Sequence, residues 1–123
     1  MKRATGIGGI FFKSADPEKL QAWYEKHLGL PREAHGGIMF QSDTGPTVWA
    51  AFKKDTGYFG PGPAPFMINY RVDDLHALLA ALRAEGVAVE DKVEEYDYGK
   101  FGWATDPEGN RFELWEPPKP KSG

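Results

Sequence analysis

The sequence predicts an α+β fold made of two similar halves, and three observations carry that prediction. Each half reads as a strand, a capped helix and then further strands, in the same order. A segment dense in helix and strand breakers, Lys53 to Pro65, separates the halves near the middle of the 123 residues. Sliding one half along the other by 58 positions sets Ile10 over Ile68, Phe12 over Tyr70, Asp16 over Asp74 and Leu20 over Leu78. With the shared order of elements, a duplicated unit is the simplest account.

The first element, Ile7 to Phe12, is apolar and glycine-rich and reads as a buried strand. Asp16-Pro17-Glu18 then starts a helix, with an acceptor at the N-cap, proline at the first helical position and an acid in the first turn. Leu20, Trp23, Tyr24 and Leu28 give that helix one apolar face, with Trp23 and Tyr24 expected in core or interface, and Gly29 stops it. Gly36 to Gln41 and Thr47 to Lys53 are the next strands, joined by the turn Asp43-Thr44-Gly45-Pro46.

The breaker segment contains Gly60-Pro61-Gly62-Pro63 with Gly57 and Pro65, and reads as a linker in preference to a lid. After it, Ile68 to Val72 alternates apolar and polar side chains inside the strand Phe66 to Val72. Asp73-Asp74 caps a helix whose Leu75, Leu78, Leu79 and Leu82 share a face, and Gly86 ends it. Val87 to Val89, Val93 to Tyr96, Phe101 to Thr105 and Arg111 to Trp115 read as strands, the last two joined by the turn Asp106-Pro107-Glu108-Gly109-Asn110. The proline-rich end, from Pro117, cannot pair as a strand and is expected to be extended or disordered.

Composition excludes several functions. The 15 basic and 18 acidic residues are spread along the chain and leave a net charge of −3, which suits neither nucleic acid nor an anionic membrane. No cysteine is present, so thiolate metal sites, disulfides and cysteine nucleophiles are ruled out. No run approaches the roughly 20 apolar residues of a membrane helix. Met1 to Gly6 leads into a strand without a signal-peptide apolar stretch, so a cytoplasmic location is expected.

Three segments carry a family resemblance: Ala15-Asp16-Pro17-Glu18-Lys19-Leu20 through Trp23-Tyr24 to Leu28-Gly29-Leu30, then Val72-Asp73-Asp74-Leu75, and above all Ala104-Thr105-Asp106-Pro107-Glu108-Gly109-Asn110-Arg111-Phe112-Glu113-Leu114-Trp115-Glu116. They resemble the signatures of the glyoxalase / bleomycin-resistance / extradiol-dioxygenase superfamily, over nearly the whole chain. The resemblance implies one domain of two βαβββ modules: module one at about 7–53, a linker at 54–65, module two at about 66–117 and a flexible tail at 118–123. Their strands would form a curved, cup-shaped mixed sheet with the helices outside. It further implies a homodimer and a small-molecule ligand in the cup. Period-two alternation then turns Gly9, Phe11, Lys13, Met67, Asn69, Arg71, Arg111, Glu113 and Trp115 toward the cup, and Ile10, Phe12, Ile68, Tyr70, Phe112 and Leu114 toward the helices.

Metal-dependent relatives use four positions, which fall here on Gly9, Ala50 or Ala51, Met67 and Glu113. Of these only Glu113 offers a donor suited to a hard or borderline divalent ion. His27 and His76 lie on helices and His35 in a loop, with no chelating spacing, so all three read as surface or boundary residues. The expectation is a cup with no cofactor, a divalent metal at Glu113 being the disfavoured alternative.

Glu113 admits two roles: a general base whose pKa burial would raise, or a structural carboxylate paired with Arg71, Lys13 or Arg111, the second being preferred. The aromatic residues Phe11, Trp49, Tyr58, Phe59, Tyr96, Tyr98, Trp103 and Trp115 are either stacking walls or core and interface. Phe11, Lys13, Trp49, Asn69, Arg71, Trp103 and Trp115 are the expected ligand-binding set, with Glu113 the one catalytic candidate. The favoured function is metal-free binding of a small organic molecule, as in antibiotic-sequestering relatives. The alternative is a lyase or isomerase that uses Glu113. An accessory module acting on a partner protein has no positive feature in the sequence.

Overall fold

The computed structural model describes residues 3–34, 36–42 and 45–119. The elements run β1 (Ala4–Ser14), α1 (Pro17–Leu28), β2 (Ile38–Ser42), β3 (Gly45–Lys53), β4 (Phe66–Val72), α2 (Leu75–Ala84), β5 (Ala88–Tyr96), β6 (Gly99–Thr105) and β7 (Arg111–Glu116). All seven strands form one mixed sheet in the order β2-β3-β1-β4-β7-β6-β5. The two halves meet along the antiparallel β1–β4 pair, and each first strand runs parallel to a later strand of its own half, β1 to β3 and β4 to β7. That repetition is the duplication read from the sequence. In the first half, the strand that would follow α1 directly is reduced to an isolated bridge between Arg32 and Ile38.

Both helix starts form for the reasons the sequence supplies. The Asp16 carboxylate accepts from the Lys19 amide at 3.2 Å and the Asp74 carboxylate from the Ala77 amide at 3.1 Å, each filling an otherwise orphan donor. Asp74→Ala is expected to lower stability by about 1 kcal/mol in urea titrations. Gly29 ends α1 in the left-handed conformation, at φ 63°.

The helices lie on one face of the sheet. On α2, Leu75, Leu78 and Leu79 are buried against Val72 and Leu114, each burial contributing about 1.5–3 kcal/mol. On α1 no side chain is fully buried in the single chain, and of its apolar face Leu20 and Tyr24 are half-buried. Tyr24 reaches the Trp49 ring at 4.8 Å, but Trp23 stays 52% exposed against Tyr24 and His27, and Leu28 is 65% exposed. Neither helix lies chiefly over β4, and Ile7, Ile10 and Phe66 remain exposed on the central strands.

Two expected strands are one. β5 runs unbroken from Ala88 to Tyr96, with a register shift between Val89 and Val93 that accommodates the charged Glu90-Asp91-Lys92. A bulge with charged side chains on an edge strand also discourages pairing with another sheet. The final turn closes as expected: the Asp106 carboxylate accepts from the Glu108 and Asn110 amides, both at 2.9 Å, which holds its pKa below the usual range. Asp43, Thr44, His35 and the last residues of the tail lie outside the described residues. Among the described residues no helix is long and apolar enough to cross a membrane.

Candidate functional site

On the face away from the helices, a single register row crosses the sheet. Met39 pairs with Val48, Val48 with Gly9, Gly9 with Asn69, Asn69 with Glu113 and Glu113 with Trp103. Because facing residues of neighbouring strands project to the same side, this row is the floor of the cup. Its middle is polar and its ends apolar.

Glu113 is the centre, 1% exposed. Its two strand neighbours supply donors from directly alongside: Asn69 Nδ2 to Oε1 at 2.5 Å and Trp103 Nε1 to Oε2 at 2.9 Å. The third donor is the Tyr58 hydroxyl, to Oε2, from the breaker-rich segment between the modules. Burial pushes the Glu113 carboxyl pKa up, while these three hydrogen bonds and Arg111 pull it partly back. Burial and the Glu113 charge also push the Tyr58 phenol well up, so it keeps its proton and remains a donor.

The expected pairing of Glu113 with Arg71, Lys13 or Arg111 is therefore corrected. Arg111 instead clasps Glu90 through Nε and Nη2 at 2.7 and 2.9 Å, stacks over the Trp103 ring at 5.2 Å and donates to the Tyr58 carbonyl. Lys13 sits over the Phe59 ring at 5.7 Å. Arg71 donates to the Pro46 carbonyl at 3.2 Å, in a depression with Thr5, Gly45 and Glu116.

Above the floor is a cavity of about 450 Å³. One wall carries Phe11, Phe52 and Tyr58, the last two stacked at 5.4 Å and 10°. The other carries Tyr98, Phe101 and Trp115, with Phe101 and Trp115 parallel at 6.1 Å and 5°. Trp115 is held by its Nε1 bond to the Tyr98 carbonyl at 3.0 Å. A second depression of about 480 Å³, bordered by Phe59, Phe66, Tyr70, Phe112, Asp106 and Arg111, is also aromatic but does not include Glu113 or its donors.

Of the expected ligand-binding residues, Phe11, Asn69 and Trp115 line the cavity together with Glu113, and Trp103 lies in the floor beneath it. Lys13 and Arg71 share the cup face but do not line the cavity. Trp49 is on the wrong face: it packs with Phe12 at 4.7 Å and with Tyr24, under α1. Phe52 and Phe101 line the cavity and were not singled out from the sequence. Tyr58 was only one aromatic among several, and its adjacency to Phe59 in a breaker-rich segment is the signal that this stretch packs back on the protein.

The residues at the four positions expected to ligate a divalent ion do not make a donor set for one. A Cβ at Gly9 would stand 2.6 Å from the Phe11 ring and 3.2 Å from the Val48 carbonyl, so no ligating side chain fits there. Ala50 lines the cup without a donor, and Met67 is a soft thioether buried among Phe11, Phe59 and Trp103. Both Glu113 oxygens already accept hydrogen bonds, and no group of three His, Cys, Asp or Glu suited to a metal occurs among the described residues.

A curved sheet built from a duplicated unit around a central pocket defines a cup-shaped, glyoxalase-type protein. The sequence matches the glyoxalase-like domain family over residues 9–115, and the chain belongs to that family. No sequence among curated proteins matches it. Similar solved structures include a variant of Streptomyces coelicolor methylmalonyl-CoA epimerase in complex with 2-nitronate-propionyl-CoA. It is 16% identical, with 94% of this chain and 99% of that one covered, at a TM-score of 0.74. Methylmalonyl-CoA epimerase from Mycobacterium tuberculosis is 18% identical, with 97% and 92% covered, at 0.69. A Legionella pneumophila structure described as an NAD-dependent benzaldehyde dehydrogenase is 14% identical, with 89% and 98% covered, at 0.62. At these identities the likeness is one of fold.

Proposed function

We propose that this protein binds a small, planar organic molecule in the cup without a divalent metal, and that Glu113 anchors the site. The carrying observation is the way Glu113 is held. Three donors converge on its two oxygens inside an otherwise apolar aromatic cavity. Such convergence fixes a carboxylate as a hydrogen-bond acceptor and leaves little of it for coordinating an ion. Opposed aromatic walls supply stacking surface for a flat ligand, and a cavity of about 450 Å³ is of ligand-binding size.

The test uses protein purified without added metal and then treated with chelator. Naphthol is titrated in while intrinsic tryptophan fluorescence is followed, and bound metal is measured on the same sample. Quenching that is saturable and indifferent to chelator is the expected result. One tightly held divalent ion per chain, whose removal abolishes binding, would overturn the reading.

A second reading rests on the raised pKa of Glu113, which suits a proton-abstracting base of the kind an epimerase or other isomerase needs. Against methylmalonyl-CoA itself stands the lining, which includes no Lys, Arg or His to meet an anionic acyl-CoA. An activity found in this protein and retained by Glu113→Gln would remove Glu113 from catalysis.

A further inference from the structure

Resting on the binding reading above, we infer that the cup selects ligands by their hydrogen-bond donors: its occupant is a planar aromatic molecule bearing N–H groups, preferentially a cation such as an amidinium. The inference comes from an inventory of the polar atoms at the floor. The single hydrogens of Tyr58 Oη and Trp103 Nε1 go to Glu113, and that of Trp115 Nε1 goes to the Tyr98 carbonyl. The Asn69 amide is turned with its nitrogen on Glu113 Oε1. That orientation is enforced, because the opposite one would press an amide oxygen against a carboxylate oxygen.

What remains for a ligand is mainly acceptor. Asn69 Oδ1 is buried and has no hydrogen-bond partner among the described residues. It is turned toward the cavity-lining Gly8, where an added Cβ would stand only 2.2 Å away. Gly8 covers this oxygen, which has almost no accessible surface in the empty protein, with bare backbone and no side chain. Tyr58 keeps the lone pairs of its hydroxyl oxygen, and Glu113, with both oxygens already accepting, contributes its charge. A buried acceptor without a partner is costly in the empty protein, so a ligand that supplies an N–H removes a penalty as well as adding a bond.

Charge points the same way. Glu113 has no ion pair among the described residues, and no cationic side chain lines the cavity. A ligand cation would meet a desolvated carboxylate below and aromatic faces on both sides, which attract positive charge through the ring quadrupole. A ligand carboxylate would meet acceptors and a like charge.

Naphthamidine, naphthyltrimethylammonium, naphthoate and naphthalene share one ring system and differ in charge and donors. Their affinities for the full chain are to be measured by tryptophan quenching with calorimetric confirmation. Naphthamidine is expected to bind roughly tenfold or more tighter than naphthoate, and also tighter than the trimethylammonium cation, which has charge but no N–H. Equal affinities across the series would overturn the inference and leave the aromatic cup standing. An equally tight trimethylammonium complex would overturn the donor requirement, and a preference for naphthoate would overturn the whole inference. Failure of all four to bind would strike the binding reading itself, and the inference with it.

Glu113→Gln gives a second measurement. A glutamine can keep its oxygen under Tyr58 and Trp103 only by turning its own amino group on Asn69. The Asn69 amide must then flip, which satisfies Oδ1 and sends its amino group toward Gly8. The naphthamidine-to-naphthoate preference is expected to fall by about tenfold or more in this variant. A preference unchanged from that of the parent protein would overturn the assignment of selectivity to these two residues.

Discussion

Glu113→Ala is expected to destabilise the protein by about 3 kcal/mol or more, measured by urea denaturation at neutral pH. The mutation strands three donors, Tyr58, Asn69 and Trp103, and an unsatisfied buried donor costs roughly 1–3 kcal/mol. Water entering the cavity can recover part of this, which is why the lower end of the sum is the expectation. Glu113→Gln should cost less, since one oxygen still serves two donors. A companion measurement concerns pH. Burial raises the Glu113 pKa in the folded protein, so the folded state binds this proton more tightly than the unfolded chain does. Stability of the parent relative to Glu113→Gln must then fall as pH rises from about 4.3, the unfolded value, and level off above the folded one. Glu90 and Asp106 have depressed pKa values and act in the opposite direction, but they are common to both proteins and cancel in the difference. A difference that stays flat from pH 4 to 8 would mean that the hydrogen bonds and Arg111 fully offset the effect of burial on Glu113.

The fold was legible because its signals are local. Asp16 and Asp74 each announce a helix within three residues, and the Leu75–Leu79 face and the Asp106–Asn110 turn need no knowledge of distant chain. Where a local signal was ambiguous, the reading slipped. The charged insertion in β5 looked like a break and is a bulge. The side-chain parity of β3 could not be fixed from Ala50-Ala51, so Trp49 was assigned to the cup, although its register with Ile10 and Ile38 puts it under α1.

Period-two alternation tells the face of a residue and nothing about its distance along the strand. Lys13 and Arg71 are on the cup side as expected, yet they stand away from the cavity and do not reach Glu113. The partners Glu113 does have are set by register across β4, β7 and β6, which is a property of pairing between strands remote in sequence. Tyr58 is harder still, because an irregular segment has no periodicity from which its direction could be read.

That segment is the subject of the other large expected effect. Phe59 is 4% exposed, packs with Phe11, Met67 and Trp103, and meets the Phe52 ring edge-on at 5.2 Å. Phe59→Ala should therefore cost about 3–5 kcal/mol, the range for deleting a buried aromatic side chain. Lys54→Ala, on the same segment but exposed, should change stability by no more than about 0.5 kcal/mol. If 54–65 were only a linker, both changes would be mild. The packing argues that it is a clamp: Phe59 inserts beside the floor, Arg111 holds the Tyr58 carbonyl, and Tyr58 is thereby aimed at Glu113. Losing Phe59 should also free Tyr58, so ligand affinity should drop in a protein that is still folded at low urea. Destabilisation without any loss of affinity would show that Tyr58 is positioned without Phe59, by Arg111 and the Phe52 stack alone.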